Sequence, residues 1–268
     1  MGIDFHDRNL EGCYARREVH DSWRTLIKSL VPIERIGSAA DIGCGGGIYS
    51  RVLDGMGIPE VTGVDFSEAM LKGAVEHSEG YENLSYHHGS AYSTGLKSDS
   101  QDLVLERALI HHVDDVEACF AEAFRVLRKE GTLIVQDRTR EDCFQEGSTH
   151  HIRGYIMELF PKLREKEESR RPQSNQVIEA LKSAGFNTIE EIVFWETRAL
   201  YESKEPLLED IRSRTGRSIL FDLDDKELER LVGMLNEKIS VNGPLEEKDR
   251  WTIWKAVKLN TPSKERFL

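Results

Sequence analysis

Short apolar stretches recur along the first half of the chain, and several are separated by segments with apolar residues at helical spacing. A short apolar stretch bounded by turn residues predicts a buried strand, and apolar positions three or four apart predict a helix packed on one face. The predicted strands are residues 39–42, 61–64, 84–87, 103–105 and 133–135. The predicted helices are residues 49–56, 67–78 and 116–128. Strands that alternate with helices predict an open parallel α/β sheet.

The two flanks of this alternating region have a different pattern. Residues 5–31 carry apolar side chains at roughly helical spacing up to Pro32, which predicts a leading helix. The alternation stops after Asp137, and the charged residues 140–172 predict an accessory helix and a mobile connection.

The alternation resumes in the last third of the chain. A helix is expected to start at the N-cap Ser174 and to end at Gly185. Further strands are predicted at residues 188–195 and 251–258, with charged amphipathic helices at roughly 203–215 and 224–240 between them.

Composition narrows the class of protein. The 268 residues include 36 basic and 48 acidic side chains, a net charge of −12 that argues against a nucleic-acid substrate. The four cysteines show neither CxxC pairing nor a neighbouring histidine at ligand spacing, so neither a metal site nor a disulfide framework is expected. The first residues have no apolar signal core and no stretch approaches a membrane span, so we expect a cytoplasmic protein without membrane association.

A run of glycines lies where the first strand hands over to a helix, in the sequence Asp41-Ile-Gly-Cys-Gly-Gly-Gly47. Such a turn presents backbone N–H groups and a helix N-terminus to a ligand. A P-loop is excluded because no lysine follows, and a dinucleotide fingerprint is weakened because Ile48 stands where its third glycine belongs. The remaining pattern is an acidic residue followed by glycines at alternate positions.

This pattern, with the motifs that follow it, resembles the class I S-adenosylmethionine-dependent methyltransferases, in particular the small-molecule methyltransferases with an LHHV-like signature. The resemblance is specific over residues 37–137 and looser towards the end of the chain. It implies a Rossmann-like, mostly parallel seven-stranded sheet with helices on both faces, an antiparallel last strand and helical cap insertions. It also implies S-adenosylmethionine as the methyl donor.

The resemblance assigns the cofactor site residue by residue. Asp41, Gly43, Gly45 and Gly47 match the first motif, which holds the methionine part of the cofactor. Asp65 stands where the family binds the two ribose hydroxyls, a task suited to a carboxylate with two acceptor oxygens. The other cofactor residues implied by their positions are Tyr14, Phe66, Met70, Ser90, Ala91, Glu106, Arg107 and Ala108. Ser90 is a departure, because the family usually has aspartate there.

Methyl transfer needs alignment and exclusion of water more than a covalent nucleophile, and it needs a base only for a protonated acceptor. His111 and Asp137 are the preferred catalytic candidates, because ligands of open α/β sheets bind at the carboxyl ends of the strands. His112 shares this position, and His150 and His151 could reach it from the accessory segment. The acceptor pocket is expected to be partly apolar, with side chains from three regions: Tyr14, Arg17, Trp23, Tyr155, Phe160, Tyr201 and Phe221.

We therefore interpret residues 1–268 as one methyltransferase domain. Its expected parts are an N-terminal lid (1–32), a cofactor-binding core (33–139), cap insertions (140–172 and 202–245) and the completion of the sheet (173–201 and 246–268). The expected activity is transfer of a methyl group from S-adenosylmethionine to a small-molecule acceptor. An RNA or protein methyltransferase and a non-catalytic cofactor-binding protein are the alternatives, the last favoured only by Ser90.

Overall fold

The computed structural model describes residues 19–240 and 243–259, and its centre is a sheet of seven strands. The strand order is β3-β2-β1-β4-β5-β7-β6, and β7 alone runs antiparallel to its neighbours. The expected mostly parallel sheet with an antiparallel last strand is therefore confirmed. The strands are β1 (Ser38–Ile42), β2 (Glu60–Asp65), β3 (Leu84–His88), β4 (Gln101–Arg107), β5 (Leu127–Asp137), β6 (Thr188–Tyr201) and β7 (Leu245–Val257).

Helices connect these strands and cover the sheet. Those that pack on it are α1 (Asp21–Leu30), α2 (Ile48–Gly55), α3 (Glu68–Glu76), α4 (Val116–Val126) and α8 (Ser174–Ser183). The additional helices are α5 (Arg140–Cys143), α6 (Ile152–Leu159), α7 (Pro161–Arg170), α9 (Lys204–Arg212) and α10 (Asp225–Lys238). The predicted leading helix is seen as α1, and its expected portion before residue 19 lies outside the described residues.

Each face of the sheet has its own apolar core. On one face, Phe120 of α4 and Leu181 of α8 pack against buried strand residues such as Val104. On the other face, Trp23 of α1 and Leu53 of α2 are completely shielded from solvent. Two covered faces explain why the parallel strands are apolar on both sides.

A third core lies within the cap and does not include the central strands. It joins apolar side chains of α6, α7, α9 and α10, among them Ile156, Leu163, Ile211 and Leu231. The expected helical cap is therefore present. Residues 140–172 contain three helices, however, rather than the single helix and mobile connection that the charged sequence predicted.

The strands β6 and β7 are longer than predicted and form a ribbon that continues past the rest of the sheet. β7 pairs with β5 only through its last residues, Thr252 to Val257, whereas it pairs with β6 along its whole length. Its first seven residues, 245–251, thus extend the ribbon by roughly 20 Å beyond the end of β5. The sequence did not predict this extension as a strand, because its inward positions hold Glu247 and Asp249, which are charged yet buried, in place of apolar residues.

Of the two predictions for the ends of α8, the one at Gly185 is confirmed and the one at Ser174 is wrong. Gly185 ends α8 with a left-handed φ of 109°, as expected. The N-cap of that helix is Gln173 and not Ser174, whose hydroxyl instead accepts a hydrogen bond from the Trp254 indole. None of the helices in the described ranges is long and apolar enough to cross a membrane, and no cluster of metal-ligating side chains lies there.

Candidate active site

The glycine turn between β1 and α2 has a backbone that only glycine adopts without strain. Gly43, Gly45 and Gly47 have φ of 74°, 52° and 73°. A Cβ at Gly47 would collide with the Tyr86 hydroxyl, whereas a Cβ at Gly45 would meet no atom within 4 Å. Gly45 therefore faces open space into which a ligand fits.

Two buried carboxylates flank this turn. One oxygen of Asp65 accepts the Gly45 N–H at 2.8 Å and the other accepts the Ser67 N–H at 2.9 Å, which fixes the carboxylate at the end of β2. Asp41 accepts a 2.6 Å hydrogen bond from the Ser50 hydroxyl, and burial raises the pKa of Asp41 to about 6. Each oxygen of Asp65 keeps a lone pair for a further donor, such as a ribose hydroxyl.

A cavity of about 920 Å³ begins at the glycine turn and continues beneath the cap. This volume is at the upper end of small-molecule sites, which run from about 300 to about 1,000 Å³. The sequence-predicted residues on its wall are Asp41, Gly43, Gly45, Asp65, Phe66, Met70, Arg107, Ala108 and His111. Phe66 presents an exposed ring, and Ala108 is held in a left-handed conformation with φ of 53°, strain of the kind found at functional sites.

Other predicted site residues do not reach this wall. Gly47, Ser90, Ala91, Glu106 and Asp137 are absent from the lining, and Tyr14 lies outside the described residues. Alternation along β4 sends Arg107 towards the cavity and Glu106 to the opposite face. There Glu106 is fully buried against the Cys119 thiol, and burial raises its pKa to about 8. Direct contact of Glu106 with a cofactor is therefore not supported.

His111 and Asp137 form a hydrogen-bonded pair at the carboxyl ends of β4 and β5. His111 Nδ1–H donates to Asp137 at 2.8 Å, and Arg171 donates to the other carboxylate oxygen at 2.6 Å. Burial lowers the pKa of His111 to about 4, aided by the charge of Arg171, so the ring is neutral at pH 7. Burial would raise the pKa of Asp137, but His111 and Arg171 hold it well below its usual range.

This geometry gives the two residues different roles. The hydrogen bond to Asp137 fixes the tautomer that leaves Nε2 of His111 as a proton acceptor. Asp137 lies behind the ring and orients it. His112, stacked 3.8 Å from the His111 ring, also lines the cavity, whereas His150 and His151 do not.

The cap side of the cavity is rich in arginines that sequence analysis did not single out as a site. The arginines on the cap side of the wall are Arg138, Arg153, Arg170, Arg171, Arg198 and Arg217. Arg138 donates to Asp249 at 2.7 Å and stacks 3.6 Å above the Trp251 ring, while Arg171 pairs with Glu167 at 2.8 Å. Arg138 and Asp249 are 111 residues apart, so no local signal could have found that pair, whereas Glu167 and Arg171 are four residues apart at the end of one helix.

The extended ribbon supplies the floor under these arginines. Glu247, Asp249 and Trp251 occupy alternate positions of β7 and share one face of it. Glu247 accepts hydrogen bonds from Arg198 at 3.1 Å and from Arg217 at 2.5 Å. The arginine network is therefore anchored on the part of the sheet that continues past β5.

The aromatic residues expected around the acceptor are elsewhere. Trp23, Tyr155, Phe160, Tyr201 and Phe221 do not line the cavity, and the prediction of their role was wrong. Trp23 is completely buried, and its indole donates to Gln136 at 2.7 Å. Phe160 and Tyr201 belong to the core of the cap. Arg17 lies outside the described residues.

The donor end of the cavity fits a nucleoside with an amino-acid tail. Asp65 offers carboxylate oxygens to paired hydroxyls, and the Phe66 ring offers an apolar face for a base. The space at Gly45 admits a ligand against the backbone. Asp41 adds negative charge for a cationic ligand group.

Comparison with known proteins agrees with this description. Residues 40–135 match the family model described as a methyltransferase domain. The demethylmenaquinone methyltransferase of Staphylococcus aureus is 26% identical over 220 residues, which cover 81% of this chain and 87% of that protein.

Two solved structures show the same fold. One is a putative methyltransferase from an antibiotic biosynthesis pathway of Anabaena variabilis, with a TM-score of 0.69 and 22% identity over 90% of this chain and 98% of that chain. The other is phosphoethanolamine N-methyltransferase 2 of Haemonchus contortus in complex with S-adenosyl-L-methionine. Its TM-score is 0.59, with 20% identity over 96% of this chain and 56% of that chain. The methyltransferase-domain match over residues 40–135, the curated relative and the shared fold together support a class I S-adenosylmethionine-dependent methyltransferase.

Proposed function

We propose that the methyl acceptor is a small molecule, held beneath the cap and beside His111. The observation that carries this proposal is the continuous cavity, which has the glycine turn at one end and the cap arginines at the other. A donor bound at the turn and an acceptor bound under the cap would share one enclosed space. The curated relative, named for its action on demethylmenaquinone, also supports a small-molecule acceptor.

Bound S-adenosylmethionine supplies an electrophilic methyl group, so the chain has to bind, align and exclude water. Asp65 receives the ribose hydroxyls, Phe66 and Met70 flank the adenine, and Asp41 with the glycine turn holds the methionine part. Arg107 and Ala108 close this end of the cavity from β4. Gly47 and Tyr86 act indirectly, by holding the shape of the turn.

His111 is the proposed general base for an acceptor that arrives protonated. Its neutral ring has an acceptor at Nε2, and Asp137 stabilises the positive charge that the ring gains when it takes a proton. Arg171 fixes Asp137 in turn, through its 2.6 Å hydrogen bond. With a pKa of about 4 the buried ring stays neutral throughout the neutral range, so its Nε2 keeps a lone pair for the proton.

The division of the chain into a lid, core and cap is proposed with the boundaries predicted above. The structure supports the cap boundaries, because α6, α7, α9 and α10 share their own apolar core. A cytoplasmic location, the absence of a nucleic-acid partner and the role of Tyr14 stay predictions.

The test is methyl transfer from labelled S-adenosylmethionine with fractionated metabolites, purified RNA and protein extract as separate acceptor sources. We expect S-adenosylhomocysteine to form with a metabolite fraction and labelled product to be small. Labelling confined to RNA or protein would overturn the small-molecule proposal. Lys28→Ala, an exposed residue of α1 that does not line the cavity, serves as a control for general surface effects.

A further inference from the structure

The cavity wall has unsatisfied hydrogen-bonding groups of one kind only. Among the described residues, buried polar atoms without a hydrogen-bond partner occur on five lining residues, and all of them are N–H donors. They belong to Arg107, Arg138, Arg153, Arg170 and Trp251. The unpartnered buried oxygens belong to residues that do not line the cavity, Asp54 and Gln101. A buried donor without an acceptor is costly, so the wall is built for a ligand rich in acceptor atoms.

The charge of the cap end has the same sign. Arg138, Arg153, Arg170 and Arg171 form ion pairs with three carboxylates in the described ranges, those of Asp137, Glu167 and Asp249. In this cluster four guanidinium groups face three carboxylates, which leaves one positive charge uncompensated, and the other two cap arginines, Arg198 and Arg217, share the single carboxylate of Glu247. Histidine adds no negative charge to this balance, so the local excess is cationic.

Arg153 has the weakest internal partners of this group. Its Nε lies 3.6 Å from Asp249 and its Nη1 lies 3.9 Å from Glu167, both longer than a hydrogen bond, so neither nitrogen has a hydrogen-bond partner. Arg138 contacts the other carboxylate oxygen of Asp249, and its Nε also has no hydrogen-bond partner. The Trp251 ring lies 3.6 Å from the Arg138 guanidinium, and its indole N–H has no hydrogen-bond partner either. These donors converge from α6, the end of β5 and the ribbon floor.

Arg107 lies between the donor end of the cavity and this group, because its guanidinium is 4.4 Å from the Trp251 ring and pairs with Glu196 at 2.9 Å. Its guanidinium lies 4.1 Å from the Tyr49 ring at the start of α2, and its charge acts on Asp41. Because its guanidinium already donates to Glu196 and its charge reaches Asp41, we assign Arg107 to the cofactor end and not to the acceptor. The donors at Arg138, Arg153 and Trp251 remain for a second ligand.

We infer that Arg138, Arg153 and Trp251 form a subsite for an anionic oxygen group of the methyl acceptor, a carboxylate or a phosphate ester. This assignment deepens the proposed function and rests on it for the word acceptor. A guanidinium fork matches the oxygens of either group, and a dry arginine pair discriminates strongly against neutral analogues. Acceptors are thus selected by charge at one end, while the atom to be methylated lies towards His111.

The experiment is calorimetric titration of the protein saturated with S-adenosylhomocysteine, using benzoate, phenyl phosphate and benzyl alcohol as probes. We expect at least one anion to bind about tenfold or more tightly than benzyl alcohol, since each charge-assisted hydrogen bond is worth about that factor. The tighter of the two anions identifies the carboxylate or the phosphate class. Equal affinity for the neutral probe, or no anion binding at about 10 mM, would overturn the subsite.

Variants separate this subsite from the cofactor site. Arg153→Gln is expected to weaken the anion about tenfold and to leave the affinity for S-adenosylhomocysteine within about twofold. Arg164→Gln, an exposed arginine of α7 that does not line the cavity, is the matched control and should change neither. Equal losses of anion and cofactor affinity in Arg153→Gln would assign the arginine to the methionine carboxylate and overturn the inference.

Two further substitutions give results of opposite sign. Trp251→Phe removes one donor and should weaken the anion, whereas Asp249→Asn releases Arg138 and Arg153 and should strengthen it. Weaker anion binding in Asp249→Asn would contradict the inference. If the anions bind as expected but the protein transfers no methyl group, the subsite stands and the proposed function is refuted. If the protein methylates neutral acceptors and benzoate does not compete with them, the proposed function stands and the subsite is refuted.

Discussion

The donor end and the acceptor end of the cavity are built in different ways. The donor end uses backbone groups and two carboxylates within one short region, and its key hydrogen bond joins Gly45 and Asp65, 20 residues apart. The acceptor end uses long charged side chains, and the pair formed by Arg138 and Asp249 joins residues 111 positions apart. The donor end is thus a local motif, while the acceptor end exists only once the cap and the ribbon have folded together.

The largest expected effect concerns the base at the junction of the two ends. His111→Gln should lower kcat by about 10²- to 10⁴-fold for a protonated acceptor, because general-base catalysis contributes about that much. Affinity for S-adenosylhomocysteine should be unchanged, and His87→Gln, an exposed histidine of β3, should have normal kcat. An unchanged kcat in His111→Gln would show that the acceptor arrives already deprotonated.

The pH dependence of kcat gives a second measurement of the same ring. An ordinary histidine base loses activity as pH falls through about 6.5. The pKa of His111 is lowered to about 4, so the neutral, active form persists below that point and the loss is expected as pH falls through about 4. A midpoint near 6.5 in the pH profile would assign the base to an exposed group.

The next effect tests whether the acceptor end depends on its ion pairs. Glu167 is completely buried and faces Arg153, Arg170 and Arg171, so Glu167→Gln leaves these charges uncompensated. We expect a loss of about 3–5 kcal/mol in the free energy of unfolding, measured by urea denaturation. Glu165→Gln, exposed on the same helix, should cost little, and equal losses would show that helix propensity and not the ion pairs is responsible.

Lowering the pH should destabilise the fold, as Glu167→Gln does, because both remove the negative charge of Glu167. Burial raises the pKa of Glu167, but the neighbouring arginines hold it far below the ordinary value of 4.5. Its contribution to stability is therefore complete above about pH 4.5 and is lost as pH falls further. Glu167→Gln should show a smaller loss of stability over that range than the native protein.

The donor end is expected to respond in binding rather than in folding. Asp65→Ala removes the proposed acceptor of the ribose hydroxyls and should weaken S-adenosylhomocysteine by about 10- to 100-fold in calorimetry. Glu60→Ala, an exposed carboxylate at the other end of β2, is the control. Undiminished affinity in Asp65→Ala would mean that the ribose is held elsewhere.

The smallest effect tests the backbone of the glycine turn. Gly45→Ala places a Cβ on a left-handed residue and should cost about 1 kcal/mol in unfolding free energy. Gly46→Ala has equally open surroundings without a left-handed φ, so the difference between the two variants isolates backbone strain. Equal stabilities would show that the turn tolerates side chains.

The sequence predicted correctly those features that depend on residues close together in the chain. The strands, the glycine turn and the acid at Asp65 follow from short-range pattern and turn chemistry, and the family resemblance supplied the seven-stranded sheet with its antiparallel last strand. Glu106 shows that a motif does not place each of its residues correctly. The resemblance assigned Glu106, Arg107 and Ala108 to the cofactor site, but alternation along β4 directs Glu106 to the opposite face of the sheet. The role of Arg153 was not predictable, because its environment is set by α7 and the ribbon and not by its neighbours in the chain.

The ribbon of β6 and β7 constrains how the acceptor pocket can diverge among relatives of this protein. A one-residue insertion or deletion between 245 and 251 would exchange every inward and outward side chain at once, because successive residues of a strand face opposite sides. Glu247, Asp249 and Trp251 would then turn away together. Changes of substrate preference in this lineage are therefore expected to arise by substitution at these positions, while changes of length are confined to the loops of the cap.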